Sequence, residues 1–308
     1  MQNRISIKQL FILLFATILA ASCKYGSAGG PSKPSFSDYV GIKYIEVRRE
    51  FSNGYSFNWY GFQQEPEWIL RFMSEDSVMV YSPFEKKFLH YPIYFDHDSV
   101  FNVAREWIRL KAINKDSLVF QLLMVENKEI SKDKSNVFMR FFSEDYIKRN
   151  RINPKLLQRP RPHDTLYVKS LIAKANRNPN HPDSCFAARN PVQLISTNPG
   201  VKVEQSHGIA DIMNPSKAEE YLNPNYKIII NGAYKDFTHN FTVVVDEKGK
   251  MHLGKFLVED EFRESRTRVL NGIIEVYLQK YLKIIPGHTL GMPHSSEIML
   301  YLRGYKAP

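Results

Sequence analysis

Glu106-Trp107-Ile108-Arg109-Leu110-Lys111-Ala112-Ile113 sets Ile108, Leu110 and Ala112 against Arg109 and Lys111 at every second position. A period of two sends alternate side chains to opposite faces of a β-strand, one face to a core and the other to water. Segments of similar make-up stand on both sides of it, at 41–47, 68–73, 77–81, 88–95, 118–125 and 137–142. Polar breaks separate them: Ser74-Glu75-Asp76, Asp96-His97-Asp98, Asn114-Lys115-Asp116 and the charged run 126–134. Asn53-Gly54 marks a further hairpin, with 55–60 as its returning strand. Short strands about a dozen residues apart predict an antiparallel meander that closes as a barrel or sandwich over residues 36–147.

The texture changes after that unit. Pro154, Pro160, Pro162, Pro179, Pro182, Pro191 and Pro199 punctuate the next stretch. Pro at this density excludes one continuous helix and disfavours central strands. Residues 148–210 therefore read as a Pro-rich linker, in which only 165–175 looks regular, as a short helix or strand. Beyond it, residues 211–308 form an α+β unit. A helix is expected at 216–222, strands at 226–234 and 237–245, and a return strand at 250–258. Asp246-Glu247-Lys248-Gly249 makes the turn, with glycine where positive φ is needed. A helix over 262–282 carries Val269, Ile273, Val276 or Tyr277, and Leu278 or Tyr281 on one stripe, and 297–302 closes as a last strand. The fold class expected is α+β and multidomain.

The first unit resembles small lipocalin-like barrels in architecture. The second resembles the C-terminal domain of the energy-transducing protein TonB. The matching residues are Phe241-Thr242-Val243-Val244-Val245-Asp246-Glu247-Lys248-Gly249-Lys250, the helix after them, then Pro286-Gly287 and Gly291-Met292-Pro293. The likeness spans roughly 224–302. It implies a small module whose exposed sheet edge accepts a peptide strand from an envelope or outer-membrane protein. On that reading the closing strand, Ile298, Met299, Leu300, Tyr301 and Leu302, is the partner-binding edge.

At the N-terminus, Arg4 and Lys8 precede an apolar or small run from Leu10 to Ala21, broken only by Thr17. A bilayer core needs roughly 20 helical residues, so this run is too short to be a good span. Charged start, short apolar centre and small residues before a cleavage point form a secretory signal peptide, residues 1–22. Ala20-Ala21-Ser22-Cys23 resembles the lipobox of bacterial lipoproteins, with Ala20 where Leu is usual. The resemblance implies signal-peptidase recognition of Ala20, Ala21 and Ser22 and lipid attachment at Cys23. Two or three acyl chains, at about 0.8 kcal/mol per buried CH₂, hold a protein on a membrane essentially permanently. Residues 23–35, rich in Gly, Ser and Pro, read as a flexible tether. Lys24 is not an inner-membrane retention signal, so the expected location is the outer membrane, lipid-anchored and facing the periplasm.

Composition bounds the chemistry. With 43% hydrophobic and 24% charged residues the 308-residue chain is of ordinary globular make-up. Lys plus Arg exceed Asp plus Glu by 42 − 32 = 10, but an exported protein does not normally meet nucleic acid. Solvated surface is the default reading of that charge. Two cysteines make no disulfide framework. Asp96-His97-Asp98 throws adjacent side chains to alternate faces and reads as a turn. His181-Pro182-Asp183-Ser184-Cys185 juxtaposes a histidine and a thiol, and a Cys–His nucleophile needs an orienting third group that the sequence does not supply. No metal-ligand, nucleophile-elbow or phosphate-loop spacing occurs. No cofactor, metal or catalytic residue is expected. A non-enzymatic envelope lipoprotein that binds proteins is the first reading, and a carrier of an apolar ligand in the barrel is the alternative. A barrel filled by large side chains favours the first; an open cavity lined by small ones favours the second.

Overall fold

The computed structural model describes residues 33–179, 181–206 and 217–306. Ala20, Ala21, Ser22 and Cys23 lie outside the described residues. The first unit consists of β1 (Lys43–Phe51), β2 (Ile69–Ser74), β3 (Ser77–Ser82), β4 (Lys87–Phe95), β5 (Val100–Val103), β6 (Glu106–Ile113) and β7 (Ser117–Leu123). A small hairpin, β8 (Val125–Glu126) and β9 (Glu129–Ile130), leads to β10 (Val137–Ser143). Eight strands close a barrel in the order β1-β10-β7-β6-β5-β4-β3-β2, and β1 pairs antiparallel with both β10 and β2. The expected antiparallel barrel is therefore present. Residues 55–60 are a correction: they form no strand, and only Phe57 bridges to Gln63 within a loop.

Large side chains occupy the interior. Tyr44, Phe72, Phe101, Ile108, Phe120 and Phe141 are buried there. Phe36, which precedes β1, is buried among them and stacks on Phe72 with ring centroids 4.4 Å apart. Its segment is held at the rim by Glu75, which accepts from Ser35 Oγ at 2.7 Å, Phe36 N at 2.9 Å and Ser37 Oγ at 2.7 Å. At the other end Glu46 takes two hydrogen bonds of 2.7 Å from Arg49, and the backbone N–H groups of Glu67 and Trp68 donate to it at 2.8 Å. Those last two bonds pin the loop that leads into β2. Each fully buried aromatic contributes roughly 1.5–3 kcal/mol, so the centre of the barrel is a core.

The Pro-rich stretch contains the regular segment expected at 165–175, as part of a helix, and is more ordered than a linker. It folds into α2 (Pro154–Leu157) and α3 (Pro162–Arg177), which follow α1 (Glu144–Arg149). Pro154 and Pro162 stand in the first turn of their helices, where a missing N–H costs nothing. A bulge in β1 between Glu46 and Arg48 turns Arg48 and Glu50 outward, yet both are buried because this segment covers them. Gln158 Nε2 donates to Glu46 O at 2.8 Å, and Asp164 meets Arg48. Buried charges need partners, and the supposed linker supplies them.

The join to the second unit is also built. Ala187 N donates to Tyr60 O at 3.0 Å, Gln63 N donates to Tyr221 Oη at 3.1 Å, and Arg189 pairs with Glu65 at 2.8 Å. Gly61 has φ +95, and a Cβ there would fall 2.5 Å from Ala187 O, so the crossing requires glycine.

The second unit contains β11 (Gln193–Ser196), β12 (Val201–Ser206), α4 (Lys217–Leu222), β13 (Asn225–Ala233), β14 (Phe237–Val245) and β15 (Met251–Leu253). Helix α5 (Arg263–Ile273) runs on through a π turn, Ile274–Leu278, and a last turn, Gln279–Tyr281. It buries Leu270, Ile273, Ile274 and Leu278 against the sheet, with Tyr277 and Tyr281 packed beside them; of the expected stripe only Val269, and Val276 as the alternative to Tyr277, are exposed. After α5 come β16 (Leu282–Ile285), β17 (His288–Thr289), β18 (Met292–Pro293) and β19 (Ser296–Lys306). The five-stranded sheet has the order β12-β13-β19-β14-β15.

Candidate interaction surface

The closing strand does not lie at an edge. β19 pairs parallel with β13 and antiparallel with β14, so both sides of its backbone are engaged. Ile298, Leu300 and Leu302 are buried in the core, and Met299 and Tyr301 face the other side. The expected strand-accepting edge at Ile298–Leu302 is thereby corrected. Physically, β13 and β14 are consecutive but leave a slot between them. The last strand, brought back by α5, fills that slot.

The edges belong to β12 and β15. β15 is three residues long, whereas β12 runs six residues and pairs with β13 along its inner side, Val201 opposite Ile230 and Lys202 opposite Ile229. Val201 is buried, Val203 packs against the core, and Lys202 and Glu204 alternate with them on the other face. This alternation is visible in the sequence, and a period-two count over 201–204 finds it. An edge strand carries a row of outward N–H and C=O groups that a further strand can meet.

Helix α5 covers one face of the sheet. On the opposite face, Lys227, Tyr301 and Asn240 form one cross-strand row, and Ile229, Arg303 and Thr238 the next. Tyr301 and Arg303 are exposed in the centre of that face. Tyr and Arg are the residue types enriched where proteins dock.

The titratable candidates resolve into structural roles. His97 Nδ1 meets Asp96 Oδ2 at 2.5 Å in an exposed turn, with Asp98 at φ +49. The Cys185 thiol, pushed up to about 12 chiefly by burial, donates to His181 O at 3.6 Å. A thiol held protonated is a poor nucleophile. His163 is hydrogen-bonded to Gly54 O at 3.0 Å. No group of three metal-ligating side chains occurs among the described residues. A surface depression of about 400 Å³, lined by Asn114, Lys115, Asp116, Ser117, Phe142 and Tyr146, lies on the barrel rim rather than inside it. No helix among the described residues is long and apolar enough to cross a membrane. Pro286-Gly287 and Gly291-Met292-Pro293 surround the β17–β18 hairpin, whose turn residues Leu290 and Gly291 both have positive φ.

Fold and surface together define a filled eight-stranded β-barrel joined to an α+β unit whose five-stranded sheet ends at β12 and β15. No family model matches the chain, and no curated protein does. Five solved chains match at the structural level. One of them is the siderocalin Ex-FABP, described as functioning through dual ligand specificities. It is 12% identical, with 46% of this chain and 84% of that chain covered and a TM-score of 0.22. Likeness at that level says nothing about a ligand here.

Proposed function

We propose that this chain is a non-enzymatic, lipid-anchored protein of the outer membrane, facing the periplasm, whose TonB-like C-terminal unit captures an envelope protein by strand addition. The observation that carries the reading is the edge position of β12, which pairs only with β13 among the described residues, in a sheet whose other long strands are paired on both sides. The filled barrel supports it, since Phe36 and Phe72 stand where an enclosed apolar ligand would sit. The lipobox residues Ala20, Ala21, Ser22 and Cys23 supply the anchor.

A proline in an edge strand removes an N–H from solvent at little cost at one position and breaks a ladder bond at the next. Lys202→Pro and Val203→Pro place one residue of each kind. Partners are captured from solubilised envelope with wild type and with each variant. The variant that keeps the wild-type melting transition is expected to lose the partner. Full capture by that folded variant overturns strand addition at β12.

One observation favours the carrier as a second reading. Phe36 enters the barrel from outside the strands, so its withdrawal would leave an apolar space without breaking a strand pair.

A further inference from the structure

We infer that the outer wall formed by β2, β3 and β4 is a membrane-docking surface that lies on a phospholipid bilayer. The identity of the occupant rests on the lipid-anchor reading above. β4 reads Lys87-Phe88-Leu89-His90-Tyr91-Pro92-Ile93-Tyr94-Phe95 and is apolar on both faces. Its inward side chains, Tyr91 and Ile93, pack in the barrel, and the outward ones have no such partner. Together with the neighbouring strands, β4 presents a strip of exposed Met73, Phe84 and Tyr94 with half-buried Met79, Tyr81 and Phe88 between them. Phe84 is 79% exposed, Tyr94 63% and Met73 43%. Tyr81 and Phe88 sit opposite each other with rings 5.4 Å apart. From Phe84 at one end to Tyr94 at the other the strip follows the whole of β4, about 30 Å for nine residues.

Three features select a bilayer as the occupant. Tyrosines with apolar neighbours suit the headgroup boundary, where the ring is buried and the hydroxyl stays wet. Basic side chains accompany the strip: Arg71 and His90 flank Met79 in register, and Lys86 stands two residues after Phe84, while Lys87 pairs with Glu85 at 2.6 Å. Cations beside an apolar strip draw anionic headgroups, and the apolar side chains then enter the interface. Third, the chain leads there. Lys33 Nζ lies 5.5 Å above the Phe95 ring, next to Tyr94. From Cys23 to Lys33 is 33 − 23 = 10 residues, at most about 35 Å of extended backbone, so an anchor at Cys23 holds this wall near the lipid. The neighbouring wall, β1 with β10, is covered by the helices that follow it and is not open to such docking.

The test uses the mature chain in vesicles of phosphatidylethanolamine and phosphatidylglycerol. Phe84→Cys, Tyr94→Cys and, on another wall, Lys111→Cys are each labelled with an environment-sensitive fluorophore in a Cys185→Ser background. Labels at 84 and 94 are expected to shift to the blue and be quenched by brominated acyl chains, and the label at 111 is not. Equal quenching at all three positions, on chains that mass spectrometry shows to be lipidated, overturns the docking surface and leaves the anchor standing. If the chain carries no lipid, the anchor reading fails separately, and flotation of the unlabelled chain with the same vesicles decides. Flotation lost in Phe84→Ser with Tyr94→Ser then sustains the surface, and no flotation of wild type overturns it. A blue shift that needs no vesicles and grows with protein concentration would assign the strip to a second copy of the chain and overturn the proposal.

Discussion

Arg48 on the first barrel strand donates from Nη2 to Asp164 Oδ2 in the first turn of the long helix at 2.8 Å, and both side chains are buried. Asp164 also accepts from Ser56 N and Arg161 N, each at 2.7 Å. Removing Asp164 leaves Arg48 paired with Glu50 at 3.0 Å but takes the acceptor from the N–H groups of Ser56 and Arg161, and a buried donor without a partner costs about 1–3 kcal/mol. Asp164→Ala is therefore expected to lower stability by that order, measured by urea unfolding. Burial alone would raise the Asp164 carboxyl, but donors from Ser56, Arg48 and Arg161 outweigh it and hold it below the usual carboxylate range. A depressed carboxyl stabilises fully above its unfolded value near 3.8 and loses that contribution as pH falls through the lower folded value. The wild-type advantage over Asp164→Ala should accordingly shrink in strong acid.

Limited proteolysis reads the same junction differently. Because α3 is fastened to β1 and Asn176 Oδ1 accepts from Ser295 N at 2.9 Å, residues 154–177 should resist cleavage under native conditions. Early cuts in that interval, mapped by mass spectrometry, would show that the helices detach from the barrel.

How much of this was legible in the sequence depends on the range of the interaction. β6 and β14 match their expected spans because alternation and turn residues are local signals. In the Pro-rich stretch the regular segment at 165–175 was legible and lies within α3, but prolines that open helices hid the helix starts, and only the buried Arg48 on another element shows what α3 is for. β19 was seen as a strand, but its place between β13 and β14 rests on a parallel pairing across some 70 residues, which no local pattern encodes. β5, four residues long, was too short for its period to register.

The filled barrel gives the next expectation. Truncating a buried Phe typically costs about 3–5 kcal/mol, from lost burial and the cavity left behind. Phe36→Ala should fall in that range by calorimetry, since the ring stacks on Phe72 and lies 5.1 Å from Phe101. The space created is apolar, so a benzene-sized ligand should bind the variant and restore part of the loss. Tight binding of such ligands by wild type would instead show that Phe36 leaves the barrel readily, as the carrier reading requires.

The anchor is tested at one atom. Cys23→Ala should abolish incorporation of labelled fatty acid and leave an uncleaved or mislocalised product, read by electrophoresis and fractionation. Absence of label in the wild-type chain would remove the lipoprotein reading.

His294 gives the protein a dependence on mild acid. Its ring lies flat against Phe186, with centroids 3.9 Å apart, and is fully buried. Thr289 Oγ1 accepts from Arg189 N and so directs its own proton to His294 Nε2 at 3.0 Å. That leaves Nδ1 to donate to Ser295 O at 3.1 Å, a fully satisfied neutral imidazole. Burial pushes its pKa down to about 4, with the neighbouring His288 adding to the fall and the Ser295 carbonyl opposing it. A depressed base stabilises the fold fully above its unfolded pKa near 6.5. As pH falls from there toward 4, the unfolded chain takes up a proton that the native one refuses. Stability then drops by up to about 1.4 kcal/mol per pH unit. His294→Gln, neutral throughout, loses the fitted ring but also this slope. Urea midpoints between pH 7.5 and 4.5 should show the variant weaker at neutral pH, with the gap closing as the solution is acidified. Carboxylates common to both chains cancel in that difference, so a gap that stays constant would mean His294 is not the group responsible.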